Sequence, residues 1–245
     1  MNRIPLERTD GDTEIRFRDC FSVRYIQSAS LLCRLGYAIE KDYTESGQVS
    51  PESVLSHEAF ILNSVLSTVA FLESTINELY SDVVDNVYPP AGDGDEALLQ
   101  RIAEGWRNEK NFDRAPVLTK YQKVLVIAGK QPFPEKDPAF TNVKNLIEIR
   151  NFLMHYRREW VVLAKGRGPL SQERTQGEKF GRILKHAFKE NPFAGRNRPF
   201  FPDRCLGHGC AEWAVINSLI ITDAFFSRLN LPAPYEGIKK ELQTR

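Results

Sequence analysis

The stretch SPESVLSHEAFILNSVLSTVAFLESTINELYSDVVDNVYPP, residues 50–90, limits the fold more than any other part of the chain. Ser50 is an N-cap residue, Pro51 stands at the first helical position where a missing N–H is harmless, and Glu52 suits the positive end of a helix. Leu62, Val65, Val69, Leu72, Ile76, Leu79, Val83 and Val87 then recur every three or four residues, the period of one helical face, until Pro89 and Pro90 end the run. One long amphipathic helix is expected here, and its apolar stripe has to be buried against other helices.

The same period runs through most of the chain, and no alternating run of strand length carries turn signals at both ends. Residues 15–41 read as a helix, as do 96–108, 117–128 and 139–160. Residues 172–189 form a basic, polar helix candidate with little apolar face. Residues 210–229, CAEWAVINSLIITDAFFSRL, are apolar almost all round, as the centre of a bundle requires. The expectation is an all-α fold, an up-and-down helical bundle of about six or seven helices. It forms a single domain over residues 1–245, with a basic, loop-rich insertion at about 165–204.

Charge is unevenly spread. Residues 150–204 hold thirteen Lys or Arg against five Asp or Glu, a net of +8 in a chain whose total is +1, so the remainder carries −7. A basic third on an acidic body suggests a polyanionic partner. The opening MNRIPLERTDGD has no apolar run of leader length, and AVINSLIITDAFF is too short and interrupted to span a bilayer, so a cytoplasmic protein with no membrane partner is expected. Cys20, Cys33, Cys205 and Cys210 are too few and scattered for a disulfide scaffold. Cys205, His208 and Cys210 lack the usual spacing of zinc ligands, and Gly207-His208-Gly209 reads better as the turn into the last helix, with the two cysteines packed as small hydrophobes.

The segment LIEIRNFLMHY, residues 146–156, breaks the apolar pattern of its helix. Phe140, Val143, Leu146, Ile149, Leu153 and Trp160 make a core stripe, whereas Asn151 and His155 lie one turn apart on another face. Arg150 is turned roughly 140° from His155 on an ideal helix, so a site using all three is assembled most easily where two copies of the helix meet. The trio suits RNA phosphodiester cleavage. A histidine can take a proton from a 2′-hydroxyl or give one to the leaving 5′-oxygen near neutral pH. A guanidinium matches a phosphate and strengthens its hold as charge builds, while Asn151 can position a phosphate oxygen. Such chemistry requires no metal or other cofactor, since the nucleophile belongs to the substrate. The residues serve equally well as polar caps on neighbouring loops with a His at the bundle edge.

KNLIEIRNFLMHY, preceded by KYQKVLVIAGKQPF and followed by AEWAVINSLI, resembles the HEPN superfamily (higher eukaryotes and prokaryotes nucleotide-binding), in particular uncharacterised bacterial members. Arg150, Asn151 and His155 match its Arg-polar-x3-His motif position by position. The resemblance implies a helical-bundle homodimer whose two motifs form one composite metal-independent endoribonuclease site. It also implies 2′,3′-cyclic phosphate and 5′-hydroxyl ends, and a role as a toxin or in defence against phages and plasmids, with an antitoxin or defence protein as partner. Members paired with a nucleotidyltransferase antitoxin have a Tyr two residues past the motif His. Here Tyr156 follows His155 directly and Arg157 stands in that place, so this pairing is not carried over.

Around the motif, Glu73 and Asn77 lie a turn apart beside the stripe of the long helix and are expected to orient Arg150 or His155, with Tyr156 in a similar supporting place. Arg157, Arg158, Arg182 and Lys185 are the expected RNA contacts, with Phe193, Phe200 and Phe201 interleaved for base stacking or for stapling helices together. The rival reading is a catalytically silent helical module that binds RNA, a nucleotide or a protein partner.

Overall fold

The computed structural model describes residues 4–5, 17–85, 96–108, 112–159 and 175–245. Seven α-helices lie among the described residues: α1 (Phe21–Ser46), α2 (Pro51–Val84), α3 (Glu96–Asn108), α4 (Val117–Ile127), α5 (Pro138–Met154), α6 (Gln176–Leu184) and α7 (His208–Leu229). The protein is an all-α helical bundle, and a two-residue antiparallel ladder, Ile4–Pro5 with Phe17–Arg18, precedes it among the described residues.

α1 and α2 form an antiparallel hairpin. Glu40 near the end of α1 meets His57 near the start of α2, and further along Ser64 Oγ donates to the Ala29 carbonyl at 2.8 Å. The reversal is made by Gly47, whose φ of 69° is a conformation that a side chain would strain and whose N–H bonds the Tyr43 carbonyl. Ser50 then caps α2 through an Oγ acceptor for the Ser53 N–H at 3.0 Å, with Pro51 next to it.

The stripe on α2 is buried from Val65 to Val83, but Leu62, expected on it, is exposed and Ile61 takes its place because it faces the neighbouring helices; Val87 lies outside the described residues. Ile61, Val65, Val69, Leu72 and Ile76 are fully enclosed. At roughly 1.5–3 kcal/mol for each such side chain taken from water, this helix is the main source of cohesion in the bundle. Its larger core joins Phe71, Leu72 and Ile76 to Tyr121 of α4 and Phe225 of α7, and Tyr121 meets its polar need by donating to the Leu72 carbonyl at 2.9 Å. A second core holds Val65 and Val69 against Leu146 and Ile149 of α5, Phe180 and Leu184 of α6, Phe201 and Trp213. α2 and α7 are each long and apolar enough to cross a membrane, with mean hydropathy of 1.5 and 1.2 over their best windows, contrary to the expectation that no run was long enough. Both are the central helices of the bundle, and half or more of each window is buried inside it.

Two helices are shorter than their periodicity suggested. α5 ends at Met154, not 160, because the backbone leaves the helix at His155 (φ −114°, ψ 32°); Trp160 lies outside the described residues. α6 spans only Gln176–Leu184, and unlike the polar helix expected it buries Phe180 and Leu184. Of the basic insertion expected at 165–204, residues 165–174 lie outside the described residues. The loop after α6 is drawn tight by Asn191, whose Nδ2 donates to the carbonyls of Asp203 and Leu206 while its Oδ1 accepts the Phe193 N–H. Arg204 grips Glu190 with two nitrogens at 2.7 Å.

Candidate active site

α5 begins with Asp137, which accepts the Phe140 N–H at 2.9 Å, and with Pro138 at its first position. Val143, Leu146 and Ile149 are fully buried, and this orients the helix so that Arg150 and Asn151 emerge beside the core. The last turn is closed by the His155 N–H on the Asn151 carbonyl at 3.0 Å. Asn151 and His155 therefore remain one turn apart as expected, but His155 is the residue on which the helix stops, and both residues are exposed.

Arg150 is only partly exposed. Its Nη2 lies 3.3 Å from Glu73 Oε2 of α2, so the structure brings these two together as the sequence suggested. The contact is longer than the 2.7–2.9 Å usual for a charge-assisted hydrogen bond, and it engages one nitrogen of the fork. Asn77, a turn along from Glu73, is not part of the group. Its Oδ1 accepts from Lys120 Nζ at 2.7 Å, and Lys120 is 2 % exposed, so Asn77 is used to satisfy a buried ammonium.

Beyond the helix, Tyr156 rests edge-on against Phe152 with ring centroids 5.4 Å apart, and Phe152 in turn packs against Phe180 and Phe201. This aromatic chain fixes the direction in which the strand of basic residues leaves α5. Arg157 and Arg158 are exposed, and Glu159 turns back to receive the Gln176 and Gly177 N–H groups, capping α6 together with Thr175. Lys179 Nζ to Glu148 Oε2 at 2.6 Å ties α6 to α5, leaving Arg182 and Lys185 exposed. The phenylalanines expected to stack on bases are used within the fold. Phe201 is 3 % exposed, Phe200 stacks on Phe188, and Phe193 packs against His57 and Tyr43.

Cys205 and Cys210 are fully buried in the second core, and hydrogen bonding between them together with burial holds the Cys205 thiol well above its usual pKa. His208 Nε2 meets the Thr244 carbonyl at 3.0 Å and its N–H is the first of α7. Among the described residues no three His, Cys, Asp or Glu side chains gather to hold a metal.

One polar centre escaped the reading of the sequence. Glu40 is 6 % exposed, and its Oε1 accepts both from His57 Nε2 at 2.8 Å and from the His208 N–H at 2.6 Å, so one carboxylate joins α1, α2 and the start of α7. The signal was an acid standing on the buried stripe of α1, four residues after Gly36 and seven after Cys33. No family model, curated protein or solved structure matches this chain.

Proposed function

We propose that the protein is a metal-independent endoribonuclease of the HEPN type, cytoplasmic and acting as a homodimer in a toxin or defence role. The observation that carries this is the end of α5, where Asn151 and His155 are both exposed one turn apart, Arg150 just before them is partly exposed, and the exposed Arg157 and Arg158 follow at once. In the reaction a ribose 2′-oxygen attacks the adjacent phosphorus, its proton passes to one imidazole, and the 5′-oxygen leaves with a proton from a second. His155 of each copy supplies these roles, Arg150 stabilises the charge gathering on the phosphoryl oxygens, and Asn151 positions one of them. The apolar groove between α4 and α5, lined by Val126, Ile127, Phe140 and Ile147, adjoins the motif helix and is the expected seat of the second copy.

A second reading has its own support. Arg150 is held by Glu73 of the same chain, as in a helical module that uses its arginine for structure and binds RNA or a partner without cutting it. Cleavage of a mixed RNA pool in EDTA separates the two. The nuclease reading expects cyclic-phosphate ends from the protein and none from His155→Ala of unchanged circular dichroism. RNA binding without cleavage by either leaves the silent module.

A further inference from the structure

Between the end of α1, the start of α7 and residues 187–189 lies a cavity of about 570 Å³ that shares no lining residue with the Arg150 motif. Of the three glutamates on its lining, Glu45 has 65 % of its side chain exposed and Glu40 and Glu212 are the enclosed ones. Glu40 is 6 % exposed, and while its Oε1 is taken by His57 and His208, its Oε2 receives no hydrogen bond from the described residues. Glu212, with 16 % of its side chain exposed, stands one helical turn along from His208. His208 is enclosed with these acids, its Nε2 engaged by the Thr244 carbonyl, whereas the two lysines of the lining lie further out. Lys41 has 58 % of its side chain exposed and Lys189 is exposed too, so their charges are screened by water while the enclosed acids are not.

The chain itself shows what this wall accepts. Arg245 places Nε 2.8 Å from Glu212 Oε1 and Nη2 2.7 Å from Oε2, a two-pronged hold on a planar cation. Its guanidinium carbon lies 5.9 Å from the centre of the Tyr37 ring. Arg245 does this from the mouth, with 64 % of its side chain in water, so the interior behind it and the free oxygen of Glu40 stay unused. Thr244 and Leu242 are anchored independently, through His208 Nε2 on the Thr244 carbonyl and by burial, and they hold the segment in place without the guanidinium.

We propose that this cavity binds a small guanidinium compound carrying a second cation on a short flexible stem, and that Arg245 is its internal competitor. The guanidinium takes the fork of Glu212 against Tyr37, and the amine reaches Glu40 Oε2 on the same lining. Agmatine, a guanidinium and an amine joined by a four-carbon stem, is the probe, and putrescine is the matched diamine without a fork.

Calorimetric titration of the whole chain is expected to show agmatine binding, with putrescine several-fold weaker. Arg245→Ala frees a partly exposed ion pair, and the affinity for agmatine is expected to rise about fivefold. Adding Glu212→Gln to Arg245→Ala is expected to weaken it at least tenfold, and Glu212→Asp, which keeps the charge, to weaken it less. Melting curves of each variant show that it is folded. Absence of agmatine binding to both the wild type and Arg245→Ala at about 10 mM overturns the proposal. So does an affinity indifferent to Arg245→Ala, or equal binding of putrescine.

Discussion

Arg150 and Glu73 join α5 to α2 through one nitrogen–oxygen contact of 3.3 Å, with 25 % and 47 % of their side chains exposed. An ion pair so open to water adds little to stability, so its consequence is positional: it holds the guanidinium beside the end of α5. Glu73→Gln is expected to change unfolding free energy in urea by less than about 1 kcal/mol. On the nuclease reading the same change lowers RNA cleavage roughly tenfold, through a misplaced Arg150. Cleavage and stability both unchanged would remove Glu73 from the site.

Glu40 is the opposite case, a carboxylate enclosed with its partners. Its loss strands the His57 imidazole, which is fully buried, and the first N–H of α7. Glu40→Ala is expected to destabilise the protein by roughly 2–6 kcal/mol, because it leaves two buried donors unsatisfied at about 1–3 kcal/mol each. Glu40→Gln, which keeps an acceptor oxygen, should lose less than half of that. Equal losses from the two variants in urea unfolding would contradict this account.

Glu212 makes stability depend on acid. Burial works against its charge, but hydrogen bonds from Arg245 and Thr244, with the nearby charge of His208 and Arg245, outweigh it and hold the carboxyl below its ordinary value of 4.5. A depressed folded-state pKa contributes stability above the unfolded value, and that contribution is lost as pH falls through the folded one. The stability difference between the wild type and Glu212→Gln should therefore be constant near neutrality and shrink below about pH 4.5. A gap that widens in acid would refute the assignment.

Gly209 sits inside the first turn of α7, where alanine is intrinsically better by roughly 1 kcal/mol. A β-carbon there would lie 2.9 Å from the Lys189 nitrogen and 3.1 Å from its carbonyl carbon, both of them backbone atoms. Overpacking of this kind costs about 1–3 kcal/mol and wins over propensity. Gly209→Ala should lower the melting temperature, and a rise would show that the loop at 187–191 gives way freely.

How much of this was legible in the sequence follows from where each signal resides. α2 could be read because its start lies in Ser50-Pro51 and its stripe in local spacing, and α3 runs over residues 96–108 as expected. α5 could not be ended correctly, since MHYRREW contains no Gly or Pro and the apolar period continues to Trp160. The stop at His155 goes with the packing of Phe152 against Phe180 and Phe201, rings 28 and 49 residues further on. Glu73 was found because it faces α5 from its own helix. Asn77 was misassigned because its partner, Lys120, is a lysine buried against expectation. The His57–Glu40 pair is completed by the backbone of His208, and no side-chain pattern announces a backbone donor.

The asparagine that gathers the 187–207 loop has one further property. Asparagines age chemically when the backbone nitrogen of the next residue attacks the side-chain amide and ammonia leaves, and the product is an aspartate. Residue 192 is proline, whose nitrogen carries no hydrogen to give up, so Asn191 is closed to that route. This matters because an aspartate at 191 would turn an acid oxygen toward the carbonyls of Asp203 and Leu206, which now receive its two donated hydrogens. The clasp over the start of α7 is thus built on an amide that time does not readily convert, and long storage should alter other asparagines of the chain first.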